Sequence, residues 1–183
     1  YSHRVPHDLV QTWIDGIKAA GGLAVLDVQP GQADLQAELE DLEPLLLQPG
    51  VHLAVDPEFV MGEGQVPGEK LGHIDGETVN DIQSWLAGVA ERAAEPKILV
   101  IHQFDNRMVT DKEQIVDQER IYLVWDADGF GGQWAKIADY HQYRDEGGFE
   151  YGGFKIFYRY DRPVLEPAQV LALDPAPAYI IYQ

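Results

Sequence analysis

The sequence predicts an α/β fold of the (β/α)8 TIM-barrel type, with about six βα units present, and three observations carry that expectation. Amphipathic helical segments alternate with short β-branched apolar runs along most of the chain, the pattern of a parallel sheet under helical cover. Polar residues end nearly every apolar run: Asp27 and Gln29, Asp56 and Glu58, His102, Asp126 and Asp128, and Tyr182. A barrel spreads chemistry over all its strand ends, whereas an open doubly wound sheet concentrates it at one switch point. The third observation is length. The 183 residues, 45% of them hydrophobic, suit one well-buried domain over residues 1–183, yet a full barrel typically needs about 250. A chain opening on Tyr1 rather than Met is therefore expected to lack the first two βα units or to form an incomplete barrel.

Each element has its own signal. Asp8 is the expected N-cap of a helix through Leu9, Trp13, Ile14 and Ile17, which Gly21 and Gly22 end before a strand over residues 23–28. Leu35, Leu39, Leu42 and Leu46 recur at helical spacing opposite Glu38, Asp41 and Glu43, and Pro49 and Gly50 stop that helix before the strand Val51–Val55. Residues 59–76 form a Gly- and Pro-punctuated loop long enough to serve as a lid or binding loop. Helical periodicity resumes over residues 78–93 through Val79, Ile82, Trp85, Leu86 and Val89. Strands follow at residues 97–101 and 121–124. A helix over residues 134–143 and a bend at Gly147 and Gly148 lead to the last two strands, residues 154–158 and Tyr179–Tyr182.

Composition removes several function classes. A formal net charge of −18 with only 13 Lys plus Arg leaves no phosphate-tracking surface, so no nucleic-acid partner is expected and an anionic membrane repels the chain. The absence of cysteine excludes a disulfide framework, thiolate metal ligation and a Cys nucleophile. No apolar run reaches the roughly 18 to 20 residues of a membrane span, so no membrane insertion is expected. The glycines of Gly129-Phe130-Gly131-Gly132 are not followed by the Lys or Ser/Thr of a phosphate loop, and no cofactor is expected.

The chemistry centres on Asp56-Pro57-Glu58, directly after the apolar run Val51–Val55. Strand alternation sends Asp56 and Glu58 to the same side, beyond the carboxyl end of a parallel strand. Glycoside cleavage needs one carboxylic acid of raised pKa to protonate the leaving oxygen and a second carboxylate as nucleophile or base. Asp27, Asp126 and Asp128 are the available second carboxylates. Asp126 is favoured because Tyr122, Val124 and Asp126 share one parity. Gln29, His102, Asp128 and the aromatics Phe59, Phe104, Trp125, Phe130 and Tyr182 are candidate substrate contacts, the rings by stacking on sugar faces. Structural roles stay open beside these: capping by Asp56 and Glu58, a turn at Pro30-Gly31 closed by Asp27 and Gln29, a hydrogen-bonded core histidine at His102, and aromatic rings buried in the core. Asp126-Ala127-Asp128-Gly129 fails as a calcium loop because Phe130 replaces a third oxygen ligand and the closing Glu is absent. His102 has no histidine partner at zinc-motif spacing, so no metal ligands are assigned.

Five segments carry a resemblance: Leu26-Asp27-Val28-Gln29-Pro30-Gly31, His52-Leu53-Ala54-Val55-Asp56-Pro57-Glu58, Val100-Ile101-His102-Gln103-Phe104, Asp128-Gly129-Phe130-Gly131-Gly132 and Ile180-Ile181-Tyr182-Gln183. Together they resemble a group of largely uncharacterised bacterial secreted proteins and lipoproteins of the glycoside-hydrolase-like TIM-barrel superfamily, over nearly the whole chain. In such relatives the Tyr1 to Asp8 stretch follows an earlier barrel portion. Asp-x-Glu at a strand end is also loosely similar to muramidase-type lysozymes and chitinase-like barrels, which implies Glu58 as proton donor and Asp56 as its modulator. His52 and Ala54 stand where the chitinase pattern has further aspartates, so substrate-assisted chitinolysis is not implied. The resemblance implies an extracellular or cell-surface setting and an oligo- or polysaccharide partner. Three function classes follow: a glycoside hydrolase, a non-catalytic glycan- or surface-binding barrel, and a metal-dependent hydrolase.

Overall fold

The computed structural model describes residues 4–183; Tyr1, which opens the resemblance stretch, lies outside them. In chain order the elements are α1 (His7–Ala19), β1 (Ala24–Val28), α2 (Leu35–Leu46), β2 (Val51–Val55), β3 (Ile74–Asp75), α3 (Gly76–Ala93), β4 (Lys97–Gln103), β5 (Val109–Thr110), β6 (Ile121–Ala127), α4 (Gln133–Arg144), β7 (Tyr151–Ile156), α5 (Pro167–Leu171) and β8 (Tyr179–Tyr182). Short 3₁₀ turns occupy Pro57–Phe59 and Lys112–Gln114.

Local chemistry sets the helix boundaries. Asp34 caps α2 by accepting the Ala37 N–H at 2.9 Å, and Asp75 caps α3 by accepting from both the N–H and the hydroxyl of Thr78. Asp8 does not cap α1. Pro6 holds the cap position at φ −57°, ψ 137°, and Asp8 lies in the first turn, where its carboxylate faces the positive end of the helix.

The main sheet is six-stranded and wholly parallel, in the order β1-β2-β4-β6-β7-β8, and it curls into an open half-barrel. This corrects the expected (β/α)8 TIM-barrel. The strands never close: β1 pairs only with β2 and β8 only with β7, so both outer strands are sheet edges among the described residues. The βα rhythm also lapses between β4 and β6, where the chain makes only the two-residue strand β5 and a 3₁₀ turn. Met108, Val109 and Ile115 are the buried hydrophobics of that stretch, too sparse to form an apolar helix face. β5 pairs in parallel with β3 in a separate two-stranded sheet.

Alternation along the strands divides the core between two faces. One face packs under helices α1 to α3 through Leu53, Val55, Leu99, Ile101, Leu123 and Trp125, and continues under α4 and α5 through Phe154 and Ile156. The inner face of the curl carries Ala54, Val100 and Val124, flanked by Val25, Ile98 and Tyr179. At the same parity, one step toward the carboxyl ends, that apolar floor gives way to Asp27, Asp56, His102 and Asp126. The sheet therefore forms a trough with an apolar floor and a charged rim.

Candidate functional site

Parallel register builds the rim as a row. His102 on β4 pairs with Asp126 on β6, Asp126 with Gly153 on β7, and Gly153 with Tyr179 on β8. Val55 pairs with Ile101, so Asp56, one residue on, comes level with His102. Its N–H extends the ladder to the Val28 carbonyl at 3.1 Å. Neighbouring strands lie about 4.8 Å apart, so same-parity side chains at one level meet.

The acid pair has two distinct environments. Asp56 is buried; its Oδ2 accepts from Gln29 Nε2 at 3.2 Å, and its Oδ1 accepts the Glu58 N–H at 3.3 Å, capping the 3₁₀ turn Pro57–Phe59. Burial pushes its carboxyl up to about 7, opposed by His102 and assisted by the charges of Asp27, Glu58 and Asp128. Glu58 is half-buried and also raised by burial, against the opposing charges of Lys155 and His102. Burial thus raises both carboxyls above the ordinary carboxylate range.

His102 occupies the centre of the row. Its Nδ1 lies 2.9 Å from Asp126 Oδ2 and 3.5 Å from Asp128 Oδ2, and its Nε2 lies 3.7 Å from Asp27 Oδ1. Burial alone would lower its pKa, but the hydrogen bond and charge of Asp126, with Asp27 and Asp128 behind, raise it to about 9. Asp126 is fully buried, and its Oδ1 has no hydrogen-bond partner among the described residues. Asp128 is raised by burial to about 6; Lys155 Nζ lies 2.9 Å from its Oδ1 as an ion pair without hydrogen-bond alignment. Asp27 is the most accessible carboxylate of this group, its side chain 42% exposed.

Of the residues singled out in the sequence, Asp27, Gln29, Asp56, Glu58, His102, Asp126 and Asp128 converge on this rim. The aromatics divide. Phe59 lines a groove of about 990 Å³ that runs the length of β1 past Asp27 and Gln29, with Trp13 and Val66 on its walls. Phe104 and Phe130 are exposed, and Phe130 packs edge-on to Phe157, 5.9 Å away, and against Tyr160. Trp125 faces the opposite side of the sheet: it is a fully buried core residue whose indole N–H donates to the Gly148 carbonyl at 2.8 Å. Tyr182 likewise has the parity of Ile180, which packs beneath the helices, and its ring stacks on Tyr158.

Four contributors lie outside that set. Lys155 precedes the end of β7 at the inner-face parity and supplies the rim's second cation. Tyr179 packs against the inner apolar floor, and burial, then Asp126 and Asp27, push its hydroxyl up to about 12. Gly153 makes room for the row: a Cβ there would sit 2.9 Å from both the Asp126 Cα and its Oδ1. Gly72 brings the loop back over the acid pair. Its N–H donates to the Glu58 carbonyl at 2.9 Å, and a Cβ would fall 2.5 to 2.6 Å from the carbonyls of Pro57, Glu58 and Val60. Strand parity points to Lys155 and Tyr179 once the β7 and β8 bounds are known. The close approaches at Gly72 and Gly153 have no counterpart in sequence pattern.

A buried frame holds the β7 side. Lys136 of α4 donates to the Lys155 carbonyl at 2.8 Å and to the Gly129 carbonyl, and it pairs with Asp161 Oδ2 at 3.3 Å. Asp161 in turn accepts the N–H groups of Gly131 and Phe157 at 2.9 and 3.0 Å. The loop after β6 and the end of β7 are thus tied through two buried, opposite charges.

No helix among the described residues is long and apolar enough to cross a membrane. No protein-family model, curated protein or solved structure matches the chain.

Proposed function

We propose that the chain is a carbohydrate-active glycoside hydrolase in which Glu58 is the proton donor. The observation that supports this reading most is the contrast between a half-buried Glu58 raised by desolvation and an accessible Asp27 carboxylate on the same rim, the division of labour that acid-assisted glycoside cleavage requires. Glu58 gives its proton to the glycosidic oxygen as the bond to the anomeric carbon breaks. The leaving alcohol departs neutral, and Glu58 is left as a carboxylate. Asp27 faces the cationic sugar carbon as nucleophile or as base toward water. Asp56, hydrogen-bonded to Gln29 and to the Glu58 backbone, fixes the donor's turn and keeps its surroundings weakly charged.

Asp126 takes a supporting role in this mechanism. A fully buried carboxylate bonded to His102 reaches no substrate, so Asp126 is a positioning residue for the imidazole. The groove along β1 offers Phe59 and Trp13 as apolar surfaces beside Asp27, a surface suited to a sugar chain's apolar faces. The acidic surface and the absence of a basic stripe disfavour nucleic acid as the occupant.

Oligosaccharides incubated with the protein, with product analysis run beside calorimetry, test the reading. Turnover of a bound glycan, abolished in Glu58→Gln with binding retained, is the expected result. Binding without products in the wild type favours the non-catalytic glycan-binding alternative.

A further inference from the structure

We propose that His102, Asp126 and Asp128 bind a single divalent transition-metal ion, of the zinc or manganese type, through the imidazole Nδ1 and one oxygen from each carboxylate. This goes beyond the glycosidase reading and does not rest on it.

The two separations at the imidazole Nδ1 suit an ion. One ligand atom from each residue lies within 4.8 Å of the others, with Nδ1 2.9 Å from Asp126 Oδ2 and 3.5 Å from Asp128 Oδ2. Metal–ligand bonds of about 2.0 to 2.2 Å place adjacent ligands roughly 2.9 Å apart in octahedral and 3.4 Å in tetrahedral geometry. A plain histidine–carboxylate pair accounts for the first contact but leaves other groups without a role. Asp126 is wholly buried within this cluster, a costly place for a carboxylate, and a cation held between the three side chains offsets that cost. Three carboxylates, Asp27, Asp126 and Asp128, surround one imidazole, and among the described residues Lys155 pairs with Asp128 alone.

The surrounding groups fall where an outer ligand shell would need them. A histidine bound through Nδ1 carries its remaining proton on Nε2, and Asp27 Oδ1 lies on that side at 3.7 Å. Lys155 holds Asp128 by Oδ1, leaving Oδ2 to the ion. One nitrogen and carboxylate oxygens suit zinc, manganese or ferrous iron better than calcium, which takes six to eight oxygens. The three residues come from the ends of β4 and β6, 24 positions apart in the chain, a spacing no linear metal motif describes.

Binding is a proton exchange. The ion takes the Nδ1 lone pair, and the proton that Nδ1 shares with Asp126 leaves to solvent. Calorimetry on the full chain, stripped with EDTA and titrated with ZnCl2, MnCl2 or MgCl2, reads this directly. Expected are one zinc or manganese ion per chain, at least about tenfold tighter than magnesium, and a heat that varies with buffer ionisation enthalpy as release of about one proton requires. Asp128→Asn and His102→Ala should each weaken binding by about 10- to 100-fold, and Asp27→Asn by less. Imidazole ¹⁵N NMR of the wild type keeps the test independent of variant folding: zinc must shift the His102 Nδ1 resonance. No saturable zinc or manganese binding, an unshifted Nδ1, or unchanged affinity in a folded Asp128→Asn overturns the proposal. None of these readouts depends on glycan cleavage.

Discussion

Asp56 links the chemistry of the rim to its cost. Its carboxyl is pushed from an ordinary 3.8 to about 7, mainly because burial disfavours the charged form, while Asp27 on β1, Glu58 beside it and Asp128 beyond β6 add repulsion and His102 on β4 opposes them. The unfolded chain therefore releases this proton before the folded chain does. The stability associated with the protonated form is fully present below pH 3.8 and is lost as pH rises through about 7. Asp56→Asn should flatten that part of the profile; urea unfolding of wild type and variant at pH 5 and pH 8 measures it. An equal loss in both proteins would show that another group drives the change. Gly153 gives a second prediction at this scale. Gly153→Ala places a methyl 2.9 Å from the Asp126 backbone and Oδ1. Overpacking of that kind costs about 1–3 kcal/mol. Denaturant midpoints test this prediction, and an unperturbed variant would mean that β6 and β7 separate freely.

Among the elements, α4 braces the site through charges that face inward. Lys136 and Asp161 are both buried and bind each other, the loop after β6 and the end of β7. Asp161→Ala leaves Lys136 as an uncompensated buried cation and should cost about 3–5 kcal/mol in thermal or urea unfolding. A loss under 1 kcal/mol would show that the Gly129 and Lys155 carbonyls satisfy the ammonium by themselves. Sequence periodicity could not reveal this brace, because a lysine in an amphipathic helix reads as a surface residue. Periodicity did expose α2 and α3, where leucine and β-branched stripes face a core, and it started β2, β4 and β6 at their observed first residues while ending β4 two and β6 three residues early. It placed the start of β7 three residues late, since Gly152 and Gly153 carry no strand signal, and that hid the register that puts Gly153 beside Asp126. The parity argument for Asp126 holds at the level of the strand, but parity carries no information about depth, and full burial makes Asp126 a partner of His102.

For the whole molecule, the polar strand ends suggested a closed ring, whereas six parallel strands produce an open row. Both arrangements put carboxylates at the same end of parallel strands, so the candidate rim was legible in the sequence although closure was not. Closure depends on whether the outer strands pair, and β1 and β8 carry the same β-branched and aromatic signals as paired strands do. An open sheet has a measurable consequence. β4 and β6 pair with each other across a seven-residue register and each has a second partner, whereas β1 and β8 each have one partner. Amide hydrogen exchange should therefore be slowest in β4 and β6 and clearly faster in β1 and β8. Equal protection at the two outer strands would mean that something covers their edges in solution.

The central claim is that Glu58 delivers a proton to a glycosidic oxygen. It is tested most directly by comparing wild type and Glu58→Gln on two substrates with the same sugar: a natural glycan, whose leaving alcohol needs that proton, and a dinitrophenyl glycoside, whose leaving group does not. The expected result is a loss of about 10²- to 10⁴-fold on the glycan with a much smaller loss on the activated glycoside. Equal losses on both, or none on either, would contradict the assignment.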